Sequence, residues 1–281
     1  IVYGKECTYA NSEKLSKLPA VQDADVLFAV GGGKAIDSVK LISHYTNNKP
    51  FFTFPTISAT CAATSKVAIV YHEDHVFDSQ LYLEGPAVNC FINSQILVEA
   101  PIKYVWAGMG DTIAKHYECE ISSRGLDNTY ETQLGVAMSI MCAEPIRING
   151  VKAMEAAKTH TRNDAFDQAV LAVILTTGLV SNFLTAEFNT HIAHAMCYGF
   201  STQEIVEKNH LHGEIVSYGV LVLLTVDKQL EERAKWLDVY KAMGLPVKLA
   251  DLEMKIEDMA PVYKKAIDVP ATDVSPYPIT E

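Results

Sequence analysis

Positive charge is scarce in this sequence. Its 281 residues carry 23 Lys and Arg against 34 Asp and Glu, a net charge of −11. Nucleic-acid binding leaves a basic footprint, and an anionic membrane surface recruits basic clusters, so both partners are excluded as expectations. There is no run of about 18 apolar residues, the length a membrane-spanning helix needs. The most apolar stretch, Leu171 to Leu184, is interrupted by Thr176, Thr177, Ser181 and Asn182 and falls short of a span. Cys-x-x-Cys pairs are missing too. The six cysteines, at 7, 61, 90, 119, 142 and 197, are scattered and read as reduced thiols of a cytoplasmic protein. No internal repeat and no low-complexity segment interrupts the chain, and no targeting leader is expected at Ile1. A hydrophobic share of 49% with 20% charged residues is that of a globular protein with a sizeable core.

The pattern changes along the chain. Val26–Val30 is a continuous apolar run bounded by turn residues, as in a buried parallel strand. Lys34–Tyr45 has helical periodicity, and Phe51–Phe54 stops at Pro55 as the next strand. Val67–Tyr71 and Ala87–Ile92 read as further strands. Strand, helix, strand implies parallel pairing with right-handed crossovers. From Ile102 onward the pattern is helical, over 102–121, 129–146, 164–188, 214–230 and 231–243, with Gly244 and Pro246 closing the last helix. A boundary is expected near Pro101, giving an α/β unit over 1–100 and a helical unit over 101–281.

Gly31-Gly32-Gly33 joins the first strand to the first long helix. Consecutive glycines let the backbone approach a ligand, and a helix N-terminus favours an anion there. Lys34 adds charge, and Thr56, Thr60, Thr64 and Ser65 add donors. The loop is neither Gly-x-Gly-x-x-Gly nor a Walker loop, and by itself it also reads as a plain tight turn.

Asp111, in Gly108-Met109-Gly110-Asp111, and the histidines His194 and His212 form an O,N,N donor set. Three protein ligands suit a catalytic divalent metal, because a fourth position stays open for water or substrate. Taken singly, each has a plainer reading: Asp111 as a helix N-cap, His194 as a core histidine, and His212 as no better a ligand than its neighbour His210.

Together these motifs resemble the iron-containing (group III) alcohol dehydrogenase family, in its glycerol dehydrogenase-like branch. The resemblance rests on Gly31-Gly32-Gly33-Lys34-Ala35-Ile36-Asp37, Pro55-Thr56-Ile57-Ser58-Ala59-Thr60, Gly108-Met109-Gly110-Asp111, His194-Ala195-Met196 and His212-Gly213-Glu214. It implies a Rossmann-like dinucleotide-binding α/β domain followed by an all-α, dehydroquinate synthase-like metal domain. It implies metal ligands and catalytic residues Asp111, His194 and His212. It implies NAD or NADP contacts at Gly32, Gly33, Lys34, Asp37, Thr56, Ala59, Ser65, Val67 and Tyr71. Iron-binding members carry a His one turn after the Asp; Lys115 stands there, so zinc is expected, with iron as the alternative. The implied chemistry is hydride transfer between nicotinamide and a small alcohol or carbonyl substrate, in a homo-oligomer.

Two departures bear on the substrate. Cys61 replaces a pocket Asp of the glycerol enzymes, and Cys197 replaces a His. Thr60-Cys61-Ala62-Ala63 is similar to a branch of 2-oxo acid reductases (hydroxycarboxylate dehydrogenases), so the substrate expected is a glycerol-like polyol or a 2-hydroxy or 2-oxo acid. The resemblance further implies one more βα unit before Ile1 and a helix after Glu281. Two rival readings stand beside it. A dehydroquinate-synthase-like lyase needs several basic residues near the metal, and 185–215 offers only Lys208. A catalytically degenerate metal-binding member is the other.

Overall fold

The computed structural model describes residues 1–280. Two short helices, α1 (Tyr9–Ser16) and α2 (Pro19–Gln22), precede strand β1 (Leu27–Gly31). Helix α3 (Gly33–Tyr45) then returns the chain to β2 (Phe51–Pro55), which lies parallel to β1 with Ala29 opposite Thr53. The buried face of α3, from Ala35 and Ile36 to Leu41 and Ile42, is what that crossover covers. Strand β3 (Val67–Tyr71) pairs antiparallel with β4 (Phe77–Tyr82) as a separate hairpin. Strand β5 (Asn89–Cys90) completes a three-stranded parallel sheet in the order β1-β2-β5.

The sheet therefore departs from the sequence expectation in two places. Val67–Tyr71 leaves the parallel order because β4 supplies a nearer partner. β4 reads Phe-Asp-Ser-Gln-Leu-Tyr, half of it polar and most of it solvent-facing, with no apolar run to announce it. The expected strand over Ala87–Ile92 shrinks to Asn89–Cys90. One sheet face carries a row of aromatic rings, with Phe54 stacked on Phe91 at 4.8 Å. A concavity of about 970 Å³ opens on this face, bordered by Phe28, Phe54, Thr56 and Phe91.

After α4 (Ser94–Glu99) the chain is helical: α5 (Ile102–Ser123), α6 (Tyr130–Lys158), α7 (Asp164–Val170), a π-helical turn (Leu171–Thr176), α8 (Thr177–Phe183), α9 (Ile192–Phe200), α10 (Glu204–Asn209), α11 (His212–Val226), α12 (Leu230–Met243) and α13 (Met259–Asp268). α6 runs through Pro145, well past the end expected near 146. Gly244 closes α12 in the left-handed conformation at φ +74°, where a side chain would be strained. Asp164–Phe183 forms a continuous 20-residue helix, longer than the apolar run in the sequence and, by length and composition, able to cross a membrane. Here Phe166, Ala169, Val170, Val173 and Val180 are buried inside the protein. One apolar core runs from Ala29 and Ile36 under the sheet to Trp236 and Tyr240 in α12.

Candidate metal and cofactor site

Two helix crossings build the site. α5 carries Asp111, and α11 begins at His212. They cross where Gly213 meets Ala107: a Cβ on Gly213 would sit 2.0 Å from the Ala107 carbonyl oxygen and 3.0 Å from Asp111 Cβ. Only glycine allows that approach, and it sets His212 beside Asp111. α9, which carries His194, packs against both α5 and α11.

The resulting geometry is compact. Asp111 Oδ1 stands 3.5 Å from His194 Nε2 and 3.5 Å from His212 Nε2. The three ligand atoms all lie within 4.8 Å of one another. Asp111 Oδ1 is buried and has no hydrogen-bond partner, and such atoms call for an explanation. A tetrahedral ion with bonds near 2.1 Å has ligand edges of about 3.4 Å, close to the spacing found here. The donor set and the orphaned oxygen both fit a divalent cation.

Each imidazole is held from behind. Glu118 lies two turns after Asp111 on α5 and is completely buried. Its Oε2 accepts from His194 Nδ1 at 2.6 Å, and its Oε1 accepts the backbone N–H groups of His191 and His194, both at 2.8 Å. One carboxylate thus caps α9 and turns His194 Nε2 toward Asp111. His212 Nδ1 meets Cys197 Sγ at 3.4 Å. Burial opposes ionisation of both carboxylates, but the facing imidazoles hold Asp111 and Glu118 below the usual carboxylate range. Burial likewise opposes charge on His194, yet Glu118 and Asp111 raise its pKa to about 9.

Cys197, expected in the substrate pocket, is buried with its sulfur on the His212 ring. Cys61 is half-buried in the loop after β2, and burial pushes its thiol up, which keeps it neutral. That loop is fixed on three sides. Thr53 Oγ1 donates to the Ala63 carbonyl at 2.7 Å. Asn182 of α8 accepts from Lys66 N–H at 2.8 Å and donates to Thr64 O at 2.9 Å. A Cβ on Gly108 would lie 2.3 Å from Ser58 O and 3.1 Å from Ala59 Cα, so the loop rests on α5 one turn before Asp111.

The expected dinucleotide contacts gather around the N-terminus of α3, in two groups. Gly32 and Gly33 lie against the loop after β2, where Cβ atoms would meet Ile57 and Thr60; Thr56 and Ala59 belong to that loop. The second group has structural partners. Asp37 is buried, pairs with Lys40 at 2.9 Å and accepts Ile69 N–H at 3.3 Å. Lys40 also reaches Ser65 Oγ and the Val67 carbonyl. Lys34 pairs with Glu6 at 2.5 Å and sits 4.7 Å over the Tyr71 ring. His75, on the β3–β4 turn, meets the same Glu6 oxygen. Asp37 therefore faces into the protein, and the Lys34 charge is already paired.

Sequence reasoning missed Glu118, Glu6 and Lys40. The seven-residue step from Asp111 to Glu118 places both on one helix face and was the one available signal.

Comparison with known proteins agrees with this architecture. The model of iron-containing alcohol dehydrogenases matches residues 2–86. A glycerol dehydrogenase from Thermotoga maritima is 30% identical over 99% of this chain and 77% of its own length. Hydroxycarboxylate dehydrogenase A from Escherichia coli is 28% identical over 94% of this chain and 72% of its own. The crystal structure of a probable glycerol dehydrogenase from Sinorhizobium meliloti superposes with a TM-score of 0.85 at 28% identity, covering 99% of this chain and 79% of that one. With relatives of that extent spanning both the sheet and the helices that carry Asp111, His194 and His212, the chain belongs to the iron-containing alcohol dehydrogenase family.

Proposed function

We propose that the chain is a metal-dependent, nicotinamide-linked oxidoreductase acting on a small polyol or 2-hydroxy acid and the corresponding carbonyl compound. The observation that carries this is the cluster around the buried, unpartnered Asp111 Oδ1, set one helical turn from the loop that borders the glycine turn. Asp111, His194 and His212 would hold the metal, with zinc proposed over iron because Lys115 fills the position of a fourth ligand. The metal when bound polarises the substrate oxygen, and the dinucleotide gives or takes the hydride. Glu118 and Cys197 keep the two imidazoles aimed. The loop carrying Ala59 and Cys61 holds the substrate between α5 and the N-terminus of α3. Gly32, Gly33, Thr56 and Ala59 are proposed to line the dinucleotide, while Asp37, Ser65 and Val67 support it through Lys40.

We further propose a boundary near residue 100, between a domain of residues 1–100 and a helical domain of 101–281. Six free cysteines support cytoplasmic placement. By the family resemblance the working form is a homo-oligomer. The test is cofactor absorbance, with zinc or iron restored, against a panel of alcohols and 2-oxo acids, with NAD and NADP run in parallel. Hydride transfer that a chelator abolishes is expected. Silence across the panel in metal-loaded protein would refute the reading.

A further inference from the structure

Lys115 is a buried cation with no counter-ion among the described residues. It is 8% exposed, and its ammonium donates to the carbonyl and the side-chain oxygen of Asn189, both at 2.9 Å. Both acceptors are neutral. An ammonium has three donors, and two acceptors are found for it among the described residues. Among the described residues no carboxylate pairs with it. A buried charge is normally paired, because solvation lost on burial must be replaced.

Its position is functional ground. Lys115 follows Asp111 by four residues on α5, about 6 Å along the axis and on the same face. Helical side chains lean toward the N-terminus, so Lys115 leans back toward the Asp111 turn. Burial pushes the Cys61 thiol up, and among the charges around it Lys115 favours its ionisation while Asp111 opposes it.

A neutral polyol would leave the Lys115 ammonium without a counter-ion, whereas a carboxylate would supply one. In a 2-hydroxy acid the carboxylate is one bond from the carbinol carbon, so a substrate whose hydroxyl faces Asp111, His194 and His212 presents its carboxylate within a few ångströms.

We propose that Lys115 is the anchor for a substrate carboxylate, making the preferred substrates 2-hydroxy and 2-oxo acids over uncharged polyols. This rests on the dehydrogenase reading above and selects within its substrate range.

The experiment compares lactate with propane-1,2-diol, which share a carbon skeleton and differ at the carboxylate. Binding to the metal- and dinucleotide-loaded protein is measured by calorimetry, and kcat/KM by cofactor absorbance. The proteins are the parent, Lys115→Met, Lys115→Arg and Asn189→Ala. The parent is expected to favour lactate. Lys115→Met should lower the lactate-to-diol ratio about 10- to 100-fold, mainly through KM, the scale of a lost charged hydrogen bond. Lys115→Arg should restore most of the ratio, and Asn189→Ala, which loosens the 185–191 segment but keeps the cation, should leave it within about threefold. A parallel loss for both ligands in Lys115→Met, a parent that favours the diol, or an Asn189→Ala ratio that follows Lys115→Met would overturn the anchor. Lysine-dependent lactate binding without hydride transfer would overturn the dehydrogenase reading and leave the anchor standing. Hydride transfer with a ratio indifferent to Lys115 would do the reverse, and neither binding nor transfer would overturn both.

Discussion

Replacing Glu118 by Gln preserves shape and removes one charge, yet the geometry leaves the amide no satisfactory orientation. Glu118 now accepts three donors, the N–H groups of His191 and His194 on one oxygen and His194 Nδ1 on the other. If the amide oxygen keeps the two backbone donors, its NH2 group faces Nδ1. His194 must then carry its proton on Nε2, the atom facing Asp111, and cannot offer a lone pair to a metal. Substitutions behind a ligating histidine typically cost about 10- to 100-fold in metal affinity. If the amide flips, Nδ1 keeps its acceptor, but two buried backbone N–H groups face an NH2. Each unsatisfied donor costs about 1–3 kcal/mol, so folding loses roughly 2–6 kcal/mol. The measurements are zinc affinity by chelator competition and thermal stability of the metal-free protein. At least one must fall, and a variant that loses metal affinity while melting normally identifies the first orientation. If both quantities match the parent, Glu118 does not set the His194 tautomer and the account of the site fails.

Other outcomes follow from single contacts. Gly213→Ala puts a Cβ 2.0 Å from the Ala107 carbonyl oxygen, whereas real contacts stay beyond 3.0 Å; α5 and α11 must part by about 1 Å, which should cost on the order of 10²-fold in kcat/KM. Unchanged metal-loaded activity would show that the crossing does not position His212. Cys61→Asp places a carboxylate near Lys115 and should move the kcat/KM ratio from acid toward glycerol by about 1–3 kcal/mol; an unmoved ratio removes Cys61 from the pocket. Burial opposes ionisation of Asp227, but the Arg124 fork and the Gln229 and Tyr277 hydrogen bonds hold its pKa down at about 2. Its stabilising contribution is therefore complete above the ordinary Asp value of about 4 and is lost as pH falls toward 2. Asp227→Asn should lower Tm at neutral pH, with the gap to the parent narrowing over that acid window; a gap independent of pH would mean that the carboxylate charge is not involved.

The sequence by itself determined the parts whose signals are local. An apolar run, three glycines and a periodic helix specify β1, the turn and α3, because burial period and backbone freedom act over neighbouring residues. The ligand types at Asp111, His194 and His212 were legible from the motifs around them. β4 was not, since Phe77–Tyr82 is stabilised by pairing with β3 rather than by any pattern of its own. α6 continued past Pro145 because packing against α5 and α7 outweighs one missing hydrogen bond. Only the tertiary structure decided what each site residue touches. It turned Asp37 inward onto Lys40, gave the Lys34 charge to Glu6, put Cys197 behind His212 and set Glu118 behind His194. It also left Lys115 without an anion among the described residues. These contacts join residues far apart in the chain, and their energies depend on distance and dielectric, which exist only once helices α5, α9 and α11 have crossed.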